Sequence, residues 1–294
     1  MMLSIPKSLL MPLVAVLLAG CATAPVNHTA ADAPSATPLQ RLSRAQPVVG
    51  LVLGAGGSRG FAHVGVLKAF EEAGIEADVI VGVSSGAVVA ALHAGGMRAA
   101  ELEATALAIE DNDLLDFTLF GPGMIEGGRL QAYINDTLRN RPIEALQKPF
   151  VAVAAERETN RMVVFNRGNT GLAVRASASV PKLFWPVVIR GTEYVDGGMA
   201  SRVPASVARA MGADIVIAVD VSWRGSNDAQ QADVVIRPQT IRTRITDFSQ
   251  KIANLAAGEE AAREVVPQVR ELLARVAQEK AVRQPLRVGA ARQP

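Results

Sequence analysis

The stretch DVIVGVSSGAVVAALHA, residues 78–94, decides both the fold and the expected chemistry. Residues 78–83 form an apolar run that predicts a buried strand, and the small apolar residues 85–94 predict a buried helix. The turn between them contains Gly82-Val83-Ser84-Ser85-Gly86, a G-x-S-x-G pattern. A serine in such a turn lies at the helix N-terminus, where the helix dipole favours a developing negative charge. We therefore expect Ser84 to be a nucleophile.

Gly82 and Gly86 have two interpretations. The turn is tight, so the positions two before and two after the serine must lack bulk if Ser84 is a nucleophile. The same glycines would also allow a helix to pack closely on a strand without any chemistry. Ser85 is a weaker candidate for the nucleophile because it lies inside the start of the helix.

Strands and helices alternate outward from this stretch. Apolar runs predict strands at residues 48–53, 150–156, 162–166, 215–219 and 234–236. Helical spacing of apolar residues predicts helices at residues 61–72, 99–110, 129–138 and 203–211. This alternation predicts an α/β fold with a mostly parallel central sheet.

A glycine-rich loop, Gly54-Ala55-Gly56-Gly57-Ser58-Arg59-Gly60, joins the first predicted strand to the first predicted helix. Beside a serine nucleophile, the backbone N–H groups of Gly56, Gly57 and Ser58 would serve as an oxyanion hole. A dinucleotide-binding loop is a competing hypothesis, but Arg59 stands where G-x-G-x-x-G requires glycine, and no acidic residue ends the second strand. A purely structural turn is the third interpretation.

Asp196-Gly197-Gly198 follows a short predicted strand at residues 192–195. An aspartate before two glycines is held in a turn with its carboxylate free. Asp-Gly turns usually have only a structural role, and this one becomes informative because Ser84 lacks an obvious histidine partner. Histidine bases are scarce: His93 lies on the same predicted helix as Ser84, about 13 Å away along the axis. His63 lies just past the glycine-rich loop, and its spacing leaves it open as a base, although packing or substrate contact is the alternative role.

Composition and charge narrow the class of protein. The chain has 294 residues, 49% of them apolar and 20% charged, which is typical of a globular protein and excludes a disordered chain. The formal net charge of +2 gives no sign of nucleic-acid binding. A single cysteine excludes an internal disulfide, and the three histidines (the third is His28) argue against a His-rich metal site. We expect neither a metal nor a cofactor.

The N-terminus is predicted to be a targeting segment. Residues 1–20 contain Lys7 followed by a short apolar run, which is typical of a secretory signal. The run ends in Leu18-Ala19-Gly20-Cys21, which resembles the lipobox of bacterial lipoproteins; an ordinary signal with a buried cysteine is the alternative. The lipobox resemblance implies that Cys21 is lipidated, and Ala22 after it suggests sorting to the outer membrane. Residues 21–47, rich in proline and alanine, predict a semi-extended tether.

The folded part divides into residues 48–222 and a mainly helical extension, residues 223–294. Residues 245–282 predict helix that is interrupted near Gly258 and Pro267. The apolar residues Val266, Val269, Leu273 and Val276 fall on one face. This face either packs against the main domain or faces a membrane or a partner.

Three ordered motifs point to a family. The segments Gly56–Gly60, Gly82–Gly86 and Asp196–Gly198 resemble those of patatin-like phospholipases. Residues 175–181 and 212–220 resemble the bacterial branch related to neuropathy-target-esterase-like proteins. The resemblance covers roughly residues 48–222. Ala55 and Gly198 depart from the family pattern, in which glycine and alanine respectively are common, but both keep the side chain small.

The resemblance implies a three-layer patatin-like fold and a Ser-Asp dyad, with Ser84 as nucleophile and Asp196 as base. Arg59 and Gly60 would brace the oxyanion loop, and Gly197 and Gly198 would shape the turn after the base. The implied reaction is hydrolysis of a phospholipid, lysophospholipid or other carboxylic ester through an acyl-enzyme. An acyltransferase or thioesterase using the same acyl-enzyme is one alternative, and a non-catalytic lipid-binding protein of the envelope is another. With a lipidated Cys21, the expected location is the bacterial cell envelope, at the outer membrane.

Overall fold

In a computed structural model, the structure describes residues 24–119, 121–222 and 226–290. The predicted signal peptide, residues 1–20, and Cys21 lie outside the described residues. A nine-stranded sheet forms the centre of the described part. Its strands are β1 (Asn27–His28), β2 (Val49–Leu53), β3 (Val79–Val83), β4 (Phe150–Glu156), β5 (Met162–Phe165), β6 (Val187–Ile189), β7 (Thr192–Asp196), β8 (Ile215–Val219) and β9 (Val234–Ile236).

Helices cover the sheet. They are α1 (Phe61–Glu72), α2 (Ser85–Ala94), α3 (Ala99–Ala108), α4 (Asp111–Leu114), α5 (Gly128–Thr137), α6 (Thr170–Ala178), α7 (Ala205–Ala210) and α8 (Lys251–Ala290). Short 3-10 turns at Gly57–Gly60 and Gly197–Met199 follow β2 and β7. The helix predicted at residues 99–110 is shorter than expected, because the chain leaves the helix at Ile109 in an extended conformation.

The sheet is mostly parallel, as the sequence predicted. Its order is β1-β6-β7-β4-β3-β2-β8-β9, with β5 added to β4. Five of the eight pairings between described strands are parallel. Alternate residues of β2 enter different cores: Leu51 and Leu53 pack with α1 and α2, whereas Val52 packs with α7 on the opposite face. The fold is therefore a three-layer α/β arrangement, and the prediction of this fold class is confirmed.

The two edges of β4 explain how distant parts of the sequence meet. Strand β5 pairs with residues 152–155 of β4 along one edge. Strands β3 and β7 share the other edge: Val83 of β3 lies opposite Val153, and Asp196 of β7 lies opposite the next residue, Ala154. Strand β3 is parallel to β4 and β7 is antiparallel, so their C-terminal ends meet head to head. Ser84, which follows Val83, is thereby brought to Asp196.

The stretch predicted to be a tether lies along the domain over its described part. Asn27 and His28 form β1, which pairs with β6 at the edge of the sheet. Leu39 and Leu42 pack against the core that contains α7. Arg44 forms an ion pair of 2.5 Å with Asp78 at the start of β3. Apolar side chains in an otherwise proline- and alanine-rich stretch account for this difference, because they gain burial on the domain.

The C-terminal extension is part of the same domain. Strand β9 pairs with β8, and α8 runs without the interruption that was predicted at Gly258 and Pro267. Gly258 marks a close contact instead: a Cβ atom there would overlap the carbonyl group of Ala62 in α1. A glycine inside a helix therefore indicates close packing here, not a helix end.

The apolar face of α8 packs on the domain. Val269 is fully buried, and Val266, Leu273 and Val276 pack against the same core. Of the two interpretations of this face, the structure supports packing against the main domain.

Candidate active site

Ser84 lies in a strained turn between β3 and α2. Its backbone has φ 56° and ψ −127°, a conformation that costs free energy for any residue with a side chain. Both flanking glycines are required by close packing. A Cβ atom at Gly86 would overlap the carbonyl group of Leu53, and one at Gly82 would overlap the Cα atom of Ala87. Close packing at both glycines therefore helps to hold Ser84 at the N-terminus of α2.

Ser177 supports this turn through hydrogen bonds. The Ser84 N–H donates to Ser177 Oγ at 2.9 Å, and Ser177 Oγ donates to the Val153 carbonyl at 2.6 Å. Ser177 is fully buried in α6, so no water competes for these bonds. Sequence reasoning assigned Ser177 no role. The one sequence feature that could have pointed to Ser177 is the segment 175–181, which resembles the family but was assigned no role.

Asp196 ends β7 and is held by the backbone around it. Its N–H donates to the carbonyl of Ser179 at 2.8 Å, and its Oδ1 accepts from the N–H of Gly198 at 2.7 Å. A Cβ atom at Gly197 would overlap the Val153 carbonyl, so glycine is needed for β7 to end against β4. Oδ2 is buried and has no hydrogen-bond partner of good geometry among the described residues.

The environment of Asp196 makes it a stronger base than an ordinary carboxylate. Burial raises the pKa of Asp196 to about 6, against the opposing effects of the Ser84 side chain, the Gly198 N–H and the charge of Arg202. Ser84 and Asp196 are both almost fully buried, at 5% and 6% exposed. A carboxylate with this pKa is still ionised at neutral pH, yet it accepts a proton more readily than a solvated one.

The glycine-rich loop presents backbone N–H groups beside Ser84. Gly57 has φ 59° and lines the same cavity as Ser84. The N–H groups of Gly56 and Gly57 form no hydrogen bond with any residue that the structure describes. Arg59 Nε donates to the Gly56 carbonyl at 3.0 Å, which braces the loop. Gly60 is needed because a Cβ atom there would lie 2.6 Å from the Cβ atom of Ser85.

Ser58 differs from the expectation for an oxyanion donor. Its N–H donates to the Ile245 carbonyl at 2.9 Å, and its hydroxyl bonds with the Thr243 hydroxyl and the Arg244 carbonyl. These partners belong to residues 241–250, which we call the covering segment. The Ser58 N–H is directed toward the covering segment and is already used, so Gly56 and Gly57 are the free donors of the loop.

The side chains of His63 and His93 have hydrogen-bond partners of their own. His63 is fully buried, its Nε2 donates to the Gly54 carbonyl at 2.8 Å, and burial lowers its pKa to about 4. It is therefore a neutral group that fixes the start of the glycine-rich loop. His93 Nδ1 contacts the Met97 carbonyl at 3.2 Å, at the end of α2 that is distant from Ser84. His28 lies in β1 at the edge of the sheet.

An apolar cavity opens beside Ser84. Its walls come from α1, α2, α3 and α5 and from the covering segment, which contributes Ile245 and Phe248. The ring of Phe248 packs edge-on against Phe61, with 5.3 Å between ring centroids. The cavity encloses about 140 Å³ of free space and opens to solvent. Its lining suits a hydrocarbon chain.

Within the described ranges, no group of His, Cys, Asp or Glu side chains is arranged to hold a metal ion. Among the helices of residues 24–119, 121–222 and 226–290, none combines the length and apolar character needed to cross a membrane.

Comparisons with known proteins agree with the motifs. The family model described as "Patatin-like phospholipase" matches residues 51–209. An uncharacterized NTE family protein of Mycobacterium tuberculosis is 32% identical over 203 residues, which cover 68% of this chain and 56% of the relative. Patatin-like phospholipase domain-containing protein 7 of Rattus norvegicus is 35% identical over 188 residues, 61% of this chain and 14% of the relative. The chain thus matches little more than half the length of the first relative and a small part of the second.

Among solved structures, VipD from Legionella pneumophila has a similar fold. The TM-score is 0.57, and the match covers 83% of this chain and 71% of VipD. At 12% sequence identity the similarity concerns the fold alone.

Proposed function

The chain belongs to the patatin-like phospholipase family, and we propose that it is a lipid acyl hydrolase that uses Ser84 as nucleophile and Asp196 as base. One observation carries the proposal. Ser84 follows β3 and Asp196 ends β7, two strands that meet end to end on β4, and Ser84 lines an apolar cavity. A nucleophile, a base of raised pKa and an apolar cavity are what hydrolysis of a lipid ester requires.

The first half of the proposed reaction forms an acyl-enzyme. Asp196 takes the proton of the Ser84 hydroxyl while Oγ bonds to the carbonyl carbon of the ester. The carbonyl oxygen gains the negative charge of the tetrahedral intermediate. As the intermediate collapses, the carbon–oxygen bond to the alcohol breaks and Asp196 returns its proton to the departing alcohol. The acyl group remains on Ser84.

The oxyanion is proposed to bind at the glycine-rich loop. Gly57 is the best-placed donor, because it lines the cavity with Ser84 and its N–H is free. The N-terminus of α2 adds the positive end of its dipole at the same point. Loss of one oxyanion donor typically lowers kcat by about 10²–10³-fold, so this part of the proposal predicts a large effect for a single residue.

Water completes the cycle. A water molecule gives one proton to Asp196 and its oxygen bonds to the acyl carbon. The bond to Ser84 Oγ then breaks, and Oγ recovers the proton from Asp196. The products are a free fatty acid and the restored enzyme. Phospholipids, lysophospholipids and simpler carboxylic esters all fit this scheme, because the reacting group is the same in each.

We further propose that the protein is anchored in the bacterial cell envelope through a lipidated Cys21, at the outer membrane. The support is the lipobox-like sequence at residues 18–21. Asn27 already belongs to the sheet, and the six residues from Cys21 to Asn27 span at most about 20 Å. An anchor at Cys21 would therefore keep the domain close to the bilayer that contains its substrates.

The decisive experiment measures covalent labelling and turnover together. Wild type, Ser84→Ala and Asp196→Asn are treated with a fluorophosphonate probe and assayed on a butyrate ester and on lysophosphatidylcholine. Ser206→Ala and Asp228→Asn, which lie at a separate hydrogen-bonded pair, serve as matched controls. We expect Ser84→Ala to abolish labelling and to lower turnover by about 10⁴–10⁶-fold.

Asp196→Asn should lose activity to a similar extent, whereas the two controls should keep it. Full activity of Asp196→Asn on the butyrate ester would contradict the dyad. An acceptor alcohol added to the assay competes with water for the acyl group on Ser84. A hydrolase should release mainly free fatty acid, whereas an acyltransferase should form mainly the new ester.

A further inference from the structure

Resting on the proposed function, we infer that the cavity selects acyl chains of about eight to ten carbons and that Leu92, Leu102 and Leu130 close its inner end. These three leucines come from α2, α3 and α5, and each is at least nine-tenths buried. The inference concerns the length of the acyl chain, which neither the motifs nor the relatives specify.

The cavity follows one face of α2. Ser85, Val88, Val89 and Leu92 all line it, and their spacing of three, four and seven residues places them in one stripe. The stripe begins next to Ser84, where the ester carbonyl must lie. The cavity therefore extends along the helix axis from the reacting atom to Leu92.

The length of this stripe sets the length of the chain. Seven residues separate Ser85 from Leu92, and a helix rises about 1.5 Å per residue, so the stripe is about 10 Å long. An extended chain advances about 3.5 Å for every three bonds. About nine bonds therefore fill the cavity, which corresponds to a chain of about eight to ten carbons counted from the carbonyl carbon.

The inner end is closed. Residues just beyond Leu92, such as His93 and Gly96, line a separate cavity together with Leu67 and Met97. Leu92 lines the cavity that contains Ser84 and does not line this second cavity, so the stripe ends at Leu92.

The side wall also resists longer chains. Thr105, Ile109 and Tyr133 separate the cavity from an outer groove that is lined by Asp113 and Arg129. A methylene chain that passed this wall would enter a charged, solvated groove and would lose the benefit of burial. The carbons of a longer acyl chain that do not fit must instead stay at the opening of the cavity.

This geometry predicts how the rate depends on chain length. Each methylene buried in an apolar site favours binding by about fourfold. The value of kcat/KM should rise by roughly that factor per carbon until the cavity is full, and should not rise beyond about ten carbons.

The test compares p-nitrophenyl esters of four, eight, ten, twelve and sixteen carbons with wild type, Leu92→Ala and Leu67→Ala. Leu67 is the matched control: both leucines are 4% exposed, but Leu67 lines only the separate cavity. In wild type and Leu67→Ala we expect the highest kcat/KM at eight to ten carbons. In Leu92→Ala the optimum should move at least two carbons longer, and the ratio of kcat/KM for twelve to that for eight carbons should rise about tenfold.

A rate that climbs steadily to sixteen carbons in wild type would overturn the inference, and so would an equal shift of the optimum in Leu67→Ala. Melting curves show whether each variant folds, and Leu102→Ala, with the same expected shift, replaces Leu92→Ala if that variant does not. Failure of the proposed function gives a different result: no ester of any length would be hydrolysed in a manner that depends on Ser84.

Discussion

Asp196 should cost the protein stability at neutral pH, and Asp196→Asn should therefore give a more stable enzyme that is inactive. The carboxylate is buried, and only Oδ1 has a hydrogen bond of good geometry. Asparagine keeps an acceptor for the Gly198 N–H and carries no charge. Its amide would face the Ser84 hydroxyl, which can accept a hydrogen bond from it.

The magnitude and its pH dependence follow from the pKa of Asp196. This pKa is about 6 in the folded protein, compared with the ordinary value of 3.8. Between these two values the folded state binds more protons than the unfolded state, so stability falls as the pH rises through this window. Above pH 6 the full cost is present, about 3 kcal/mol. Below pH 3.8 both states are protonated and the cost vanishes.

Urea unfolding at pH 8 and pH 4.5 measures this effect. We expect Asp196→Asn to exceed wild type in free energy of unfolding by about 3 kcal/mol at pH 8 and by about 1 kcal/mol at pH 4.5. Asp247→Asn is a control of opposite sign, because hydrogen bonds from Ser249 lower the pKa of Asp247, so its loss should destabilise the protein at pH 8. An equal difference between Asp196→Asn and wild type at both pH values would refute the reasoning, as would a less stable Asp196→Asn at pH 8.

Three further changes test other parts of the molecule. Gly57→Ala should lower turnover on a butyrate ester by about 10²–10³-fold, because residue 57 has φ 59° and its Cβ would lie 2.6 Å from the Cβ atom of Ile245. Wild-type kinetics in a folded variant would remove the loop from the mechanism. Ser177→Ala should leave the Ser84 N–H unpaired. We expect the free energy of unfolding in urea to fall by about 1–3 kcal/mol and kcat to fall as well. If neither quantity changes, the hydrogen bond from Ser84 to Ser177 is dispensable. Cys21→Ser should release the protein from the membrane fraction without changing hydrolysis of soluble esters. Mass spectrometry of the wild-type N-terminus should find lipid on Cys21, and an unmodified cysteine there would contradict the anchor.

The sequence predicted best what is determined locally. Strand β3, helix α2 and the turn between them lie within one residue of the predicted bounds, and so does helix α1. Each of these elements combines a clear apolar pattern with a glycine at the point where the chain turns. The order of strands and helices followed from the same signals, and with it the mostly parallel sheet.

Contacts between distant segments could not be predicted in this way. No local pattern indicates that β7 runs antiparallel beside β4, although that pairing brings Asp196 to Ser84. The hydrogen bond from the Ser58 N–H to the Ile245 carbonyl could not be predicted either, because the two residues lie far apart in the sequence. Gly258 was misinterpreted for the same reason: its partner, Ala62, belongs to a different helix. In each case the deciding atom is supplied by another part of the fold.

The two interpretations of the G-x-S-x-G motif are compatible, because the close packing that the glycines allow also accompanies the strained turn at Ser84. Gly86 is required because the start of α2 packs directly on the backbone of β2 at Leu53. That packing gives the chain too little room for a relaxed turn, so Ser84 takes the φ of 56° that directs it to the end of β7. Close packing is thus the cause, and the position of Ser84, the proposed nucleophile, is its consequence. A substitution at Gly86 that relaxed the packing would move Ser84 away from Asp196, even though it touches neither substrate nor base.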